Sequence, residues 1–134
     1  TPCQAQYGNT MPKIRCLDHI AIHVDDVPTS ESFYRDLFDL QPIPRPELDF
    51  PGAWLRIGES QELHLIGKNS MPDVPPLERH FAMEIDSATE WAAHLTQHAI
   101  EFEGPSSRPD DALQIFLRDP DGHAIELCTR PASN

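Results

Sequence analysis

Three histidines and one glutamate, His19, His64, His80 and Glu126, are the residues of this sequence whose types and spacing could do chemistry together. Glu126 stands in Asp119-Pro120-Asp121-Gly122-His123-Ala124-Ile125-Glu126-Leu127, where a turn-forming run leads into alternating residues. That pattern predicts a tight turn feeding a half-buried strand. A carboxylate in the middle of a sheet is costly unless it is paired, hydrogen-bonded or bound to a metal. Imidazole nitrogens and carboxylate oxygens without thiolates suit one divalent ion, and Zn, Ni, Co, Fe and Mn all fit. Four such ligands leave positions where substrate oxygens or water can bind and be polarised. A lone histidine on a strand is more often a surface or satisfied residue. These four differ in sharing strand parity, in coming one from each strand, and in matching under an internal repeat.

The repeat positions them. Residues 18 to 25, DHIAIHVD, align with residues 79 to 86, RHFAMEID, at a shift of 61, so His19 lands on His80. At a shift of 62, Leu63-His64-Leu65 aligns with Ile125-Glu126-Leu127 and Trp54-Leu55-Arg56 with Phe116-Leu117-Arg118. Each half reads as strand, helix and three strands. Cys16 to Asp25 alternates, and Asp26 and Pro28 open a helix with an apolar face of Phe33, Tyr34, Leu37 and Phe38. The Pro-rich run from Gln41 to Pro51 allows a short edge strand near Ile43, followed by strands at 53 to 58 and 61 to 67. In the second half, Ser87-Ala88-Thr89-Glu90 is a capping-box pattern before a helix face of Trp91, Ala92, Leu95 and Ala99. Ile100 to Phe102 reads as a short strand, and Gly104 to Asp111 as a loop. The expected fold is one α+β domain over 13 to 134, built of two βαβββ modules, 15 to 67 and 78 to 130, joined by a linker over 68 to 77. A loose leader covers 1 to 12. The modules form a curved mixed sheet whose aliphatic face packs on the helices and whose other face is a metal-binding cup.

Several neighbours share the parity of the four. Glu62 competes with His64 as fourth ligand, and the repeat favours His64 because Glu62 aligns with Ala124. His23 and Glu84 lie two strand steps away, as rim residues or as partners that orient a ligand imidazole. Arg56 and Arg118, beside Trp54 and Phe116, either hold a substrate carboxylate or phosphate or pair with surface acids. Trp54, Arg56, Phe116 and Arg118 are therefore the candidate substrate contacts. His94, His98 and His123 fall on a helix, a helix end and a turn, and are assigned to solvent.

With 22 acidic against 10 basic residues, a formal charge of -12 opposes nucleic acid and anionic membrane as partners, and no apolar run approaches a bilayer span. A small molecule is the expected partner. Cys3, Cys16 and Cys128 are odd in number and lack C-x-x-C spacing, which fits a reducing cytosol and a cytoplasmic location.

The strand-one His19, the Arg79-His80-Phe81-Ala82 strand and the Asp119-Pro120-Asp121-Gly122 turn before Ile125-Glu126-Leu127 resemble the vicinal oxygen chelate superfamily. Ser32-Phe33-Tyr34 and Gln61-Glu62-Leu63-His64-Leu65-Ile66 are similar to it as well. The superfamily includes glyoxalase I, methylmalonyl-CoA epimerase, fosfomycin-resistance enzymes, extradiol dioxygenases and bleomycin-binding proteins. The resemblance implies a divalent-metal enzyme with ligands at His19, His80 and Glu126, a variable fourth position at His64, and a homodimer. Where glyoxalase I has a glutamate that also shuttles the proton, this chain has His64, which serves as ligand or as base; His64 and Glu126 are the expected catalytic residues. The implied reaction is that of a glyoxalase-like lyase or isomerase working through a metal-stabilised enediolate. The alternatives are an extradiol-type ring-cleaving dioxygenase and a non-catalytic antibiotic-binding protein.

Overall fold

The computed structural model describes residue 12, residues 16 to 67, residue 77 and residues 79 to 131. The expected leader, apart from residue 12, and the expected linker from 68, apart from residue 77, lie outside the described residues. Two compact units make up the chain, Thr1–Met71 and Pro72–Asn134.

The first unit runs β1 (His19–Val24), α1 (Val27–Phe38), β2 (Gln41–Pro42), β3 (Gly52–Ile57) and β4 (Gln61–Gly67). Its sheet has the order β1-β4-β3-β2, with β1 parallel to β4 and the other pairs antiparallel. The sequence accounts for each boundary of α1. Asp26 accepts the Thr29 N–H at 3.0 Å, and Pro28 sits where a missing N–H costs nothing. Asp39 closes the helix in the left-handed region at φ 55. The buried stripe is Ser30, Tyr34 and Leu37, rather than the expected Phe33, Tyr34, Leu37 and Phe38. Phe33 and Phe38 are half-buried and meet edge to face at 5.8 Å. On the sheet, Leu55, Leu63 and Leu65 are buried, and they alternate with Trp54, Glu62 and His64 on the other face. β1 starts at His19 and not at Cys16, and its register with β4 begins at the pair His19 and Glu62.

The second unit repeats this as β5 (His80–Glu84), α2 (Ala88–Gln97), β6 (Phe102–Ser107), β7 (Leu113–Arg118) and β8 (Ala124–Cys128) in the order β5-β8-β7-β6. Ser87 caps α2 by accepting the Glu90 N–H at 3.2 Å. Ala99 is not on the helix face as expected: α2 has ended, and Ala99 is exposed at φ 58, where the chain reverses. The expected strand at 100 to 102 gives way to β6, which begins at Phe102 and extends through the first half of the expected 104 to 111 loop to Ser107. Gly104 and Pro105 interrupt its register with β7 between Glu103 and Ser106, and a proline is tolerated at such an irregularity on an edge strand. The turn before β8 is fastened by Asp119, only 6% exposed, whose Oδ1 accepts the N–H groups of Asp121 and His123 at 2.9 and 2.8 Å. Gly122 takes φ 88, which explains its place in that turn. Among the described residues no helix is long and apolar enough to cross a membrane.

Candidate metal centre

The four candidate ligands fall two by two into the units, on equivalent strands. In register, β1 sets His19 against Glu62 and Ala21 against His64, while β5 sets His80 against Ala124 and Ala82 against Glu126. Each unit thus presents an edge-strand histidine and, one step along, a donor from the central strand. Among the described residues no group of three or more His, Cys, Asp or Glu side chains gathers as one cluster.

In the second unit His80 Nε2 lies 2.9 Å from Glu126 Oε1, and His80 Nδ1 lies 2.7 Å from the carbonyl of Leu77. Carbonyl and carboxylate oxygens both accept, so a neutral imidazole leaves one of these contacts between two lone pairs. A second proton, which makes the ring an imidazolium, or a cation in that proton's place resolves it. With ~2.1 Å bonds, ligands at right angles on one ion stand roughly 3 Å apart, which is the spacing His80 and Glu126 already have. Glu126 is 4% exposed, and its Oε2 accepts from Gln114 Nε2 at 3.2 Å. Cys128, on the same face, has its thiol pushed up by burial first and then by the adjacent Glu126 carboxylate. These donor types fit a divalent ion.

In the first unit His19 Nδ1 lies 2.8 Å from Asp18 Oδ2, which assigns the proton to Nδ1 and the lone pair to Nε2. His64 is 9% exposed and sits on β4 between its two neighbouring strands. Its ring stacks on Trp54 at 3.9 Å and 1° and on His19 at 4.1 Å and 15°. Its Nε2 lies 2.8 Å from Glu62 Oε1.

The remaining candidates are placed as follows. Arg56 Nη1 donates to the Glu59 carbonyl at 3.4 Å and Arg118 Nη1 to the Gly122 carbonyl at 2.7 Å, so each repeat-related guanidinium holds the turn after its own strand. Trp54 is taken up by the stack on His64. Phe116 meets His80 edge to face at 5.4 Å and lines a cleft of about 790 Å³ with Leu77, Phe102, Glu103 and Arg118. His23 is exposed, and Glu84 pairs with Arg130 at 2.7 Å. His98 is exposed as expected, but His94 and His123 are half-buried; the His94 ring packs on Trp91 at 5.1 Å and on His98 at 4.5 Å. Sequence reasoning missed Asp18, the Leu77 carbonyl and Gln114. Asp18 directly precedes His19, a signal that was open to view; a backbone carbonyl three residues before His80 and a glutamine from β7 carry none.

Comparison with known proteins identifies the family. The profile of the Glyoxalase/Bleomycin resistance protein/Dioxygenase superfamily matches residues 16 to 127. Glyoxylase I 4 of Arabidopsis thaliana is 30% identical over 133 residues, covering 90% of this chain and 74% of the relative. Metallothiol transferase FosB of Staphylococcus epidermidis is 31% identical over 127 residues, covering 87% and 83%. The crystal structure of a glyoxalase family protein from Enterococcus faecalis superposes with a TM-score of 0.73 at 26% identity, covering 85% of this chain and 97% of that one. With its doubled module, its paired donors and a profile match across nearly the whole described chain, this protein belongs to the glyoxalase, bleomycin resistance protein and dioxygenase superfamily.

Proposed function

We propose that this chain is a divalent-cation-dependent enzyme in which His19, His80 and Glu126, with a further donor from β4, hold one cation. In this reading it removes a proton next to a carbonyl of a small oxygen-rich substrate, as a lyase or isomerase. The observation that carries the reading is the His80 ring, both of whose nitrogens face acceptors, one of them a buried carboxylate 2.9 Å away. When bound, the cation supplies the Lewis acidity that makes such a carbon acid reactive at neutral pH.

The chain's own residues do the rest. Leu77 and Asp18 fix the tautomers of His80 and His19, so that Nε2 is the ligating nitrogen in both. Gln114 holds Glu126 by its second oxygen. The Glu62–His64 pair, 2.8 Å apart, is where the substrate proton is received. The cleft at Leu77, Phe102 and Phe116 supplies an apolar wall for the substrate, with Glu103 and Arg118 among its polar lining. The enzyme works as a homodimer in this reading, and sedimentation at micromolar concentration checks that part.

His80→Ala and Glu126→Ala should each abolish stoichiometric binding of cobalt or nickel while circular dichroism stays unchanged. Retention of parent affinity by both variants would overturn the reading. Transfer of a thiol is the second reading, favoured by the similarity to metallothiol transferase FosB, at 31% identity beside 30% for glyoxylase I 4. Metal-loaded protein that exchanges substrate carbon-bound hydrogen with deuterated water supports the first; consumption of free thiol without such exchange selects the second.

A further inference from the structure

Two imidazoles at the end of α2 lie outside the strand donors. His94 and His98 stand four residues apart, the spacing that puts side chains one above the other on a helix face. That spacing holds to the end of α2, because the N–H of His98, the cap residue, donates to the His94 carbonyl at 3.1 Å. The turn beyond is fastened as well. The Ala99 N–H donates to the Thr96 carbonyl and the Ile100 N–H to the Leu95 carbonyl, each at 3.0 Å, and Leu95 is fully buried. Both rings therefore stand on backbone held by hydrogen bonds and by the core. Trp91, one turn earlier, meets the His94 ring edge to face at 5.1 Å.

The rings of His94 and His98 have centres 4.5 Å apart and planes inclined by 56°. Two imidazoles at right angles on one ion, with bonds of ~2.1 Å and ring centres about 1.1 Å behind the nitrogens, have centres roughly 4.5 Å apart. The observed spacing is that of a chelate. Planes so steeply inclined cross near both rings, and a turn about χ2, a soft torsion in histidine, brings one lone pair of each to a common point. The local field favours a cation there, since the last carbonyls of α2 form the negative end of its dipole and His94 is the basic residue of its last turn. Among the described residues no third His, Cys, Asp or Glu side chain gathers with the pair, so water would complete the coordination.

We propose that His94 and His98 form a two-point chelate for copper(II) on α2. The donors select the ion: imidazole suits borderline divalent metals, copper(II) stands highest in the first-row series, and magnesium and calcium prefer oxygen. One imidazole alone is a weak ligand. A second on the same helical turn binds the same ion intramolecularly, which strengthens the pair on the order of 100-fold over either ring. Cobalt(II) and nickel(II) are held more weakly by such a pair, so their stoichiometric uptake reports on the strand donors and not on α2. Both donors belong to one helix, and the site stands whether or not His19, His80 and Glu126 hold an ion.

The chain has two tryptophans, and Trp54→Phe leaves Trp91, in contact with His94, as the only indole. Copper(II) titrated into the full-length Trp54→Phe protein should quench Trp91 fluorescence in one saturable step, and magnesium should have no effect. In that background His94→Gln and His98→Gln should each weaken the step by about 100-fold with circular dichroism unchanged. His98 is exposed at the helix cap, so His98→Gln tests the site even where His94→Gln, at a half-buried position, does not fold. Glu126→Ala should leave the step in place, which separates this site from the strand donors. Absence of quenching, an unchanged midpoint in His98→Gln, or loss of the step in Glu126→Ala would each overturn the assignment.

Discussion

Glu126 shows how much a single buried group constrains its surroundings. A carboxylate left 4% exposed on a strand must be matched on each oxygen, and the fold supplies His80 on one and Gln114 on the other. In the proposed site Gln114 would therefore act on the cation only through Glu126. Gln114→Ala should lower cobalt affinity by about 10- to 100-fold without changing the number of imidazole ligands, as competition with a chromophoric chelator would measure. An unchanged affinity would mean that Glu126 is held by its backbone and by His80 alone. The paired arginines carry the opposite lesson: Arg56 and Arg118 are alike in sequence and in structure, and both serve a turn.

At the scale of elements, each donor is as well placed as the strand beneath it. Leu55 is fully buried on β3, the strand that brings Trp54 against His64. Leu55→Ala should cost about 2 to 5 kcal/mol of unfolding free energy, read from urea denaturation. The start of α1 gives a pH signature. Asp26 is held below its ordinary value of 3.8 by the side-chain hydrogen bond from Thr29 and then by the Thr29 backbone N–H. A depressed carboxylate stabilises the fold fully above its unfolded pKa, and that contribution fades as pH falls through the folded one. Asp26→Asn keeps an acceptor for Thr29 but cannot titrate. The difference in Tm between parent and variant should therefore shrink as the pH is lowered from about 5 toward 2. A difference that stays constant over that range would show that the cap does not depend on charge.

For the whole molecule, the distribution of donors predicts a stoichiometry. Each unit carries an edge-strand histidine and a central-strand donor, and neither supplies the four ligands of the proposed site. One cobalt ion per chain is the expected result at that site. His19→Ala in the first unit and Glu126→Ala in the second should each remove it entirely. Two ions per chain, with each variant losing one, would show that the units bind separately. The net charge of -12 bears on partners at the same scale, because it repels polyanions.

The sequence by itself determined the doubled strand-helix-three-strand order, the turn at Asp119 to Gly122, the caps at Asp26 and Ser87, and the family, because these rest on local periodicity, on turn chemistry and on a repeat that can be read along the chain. It also singled out His19, His80 and Glu126, since strand parity needs no tertiary knowledge. Tertiary structure alone decided what each of these residues touches. Pairing with β7 on both sides of the irregularity at Gly104 and Pro105 turned the first half of a predicted loop into strand, because partner strands rather than propensity set where β6 ends. The roles of Asp18, Leu77 and Gln114, and the stacking that turns His64 toward Glu62, depend on ring orientation and on which strands lie side by side. Spacing along one strand carries the face a residue occupies; the direction of its lone pair is fixed only by neighbours that arrive from other strands.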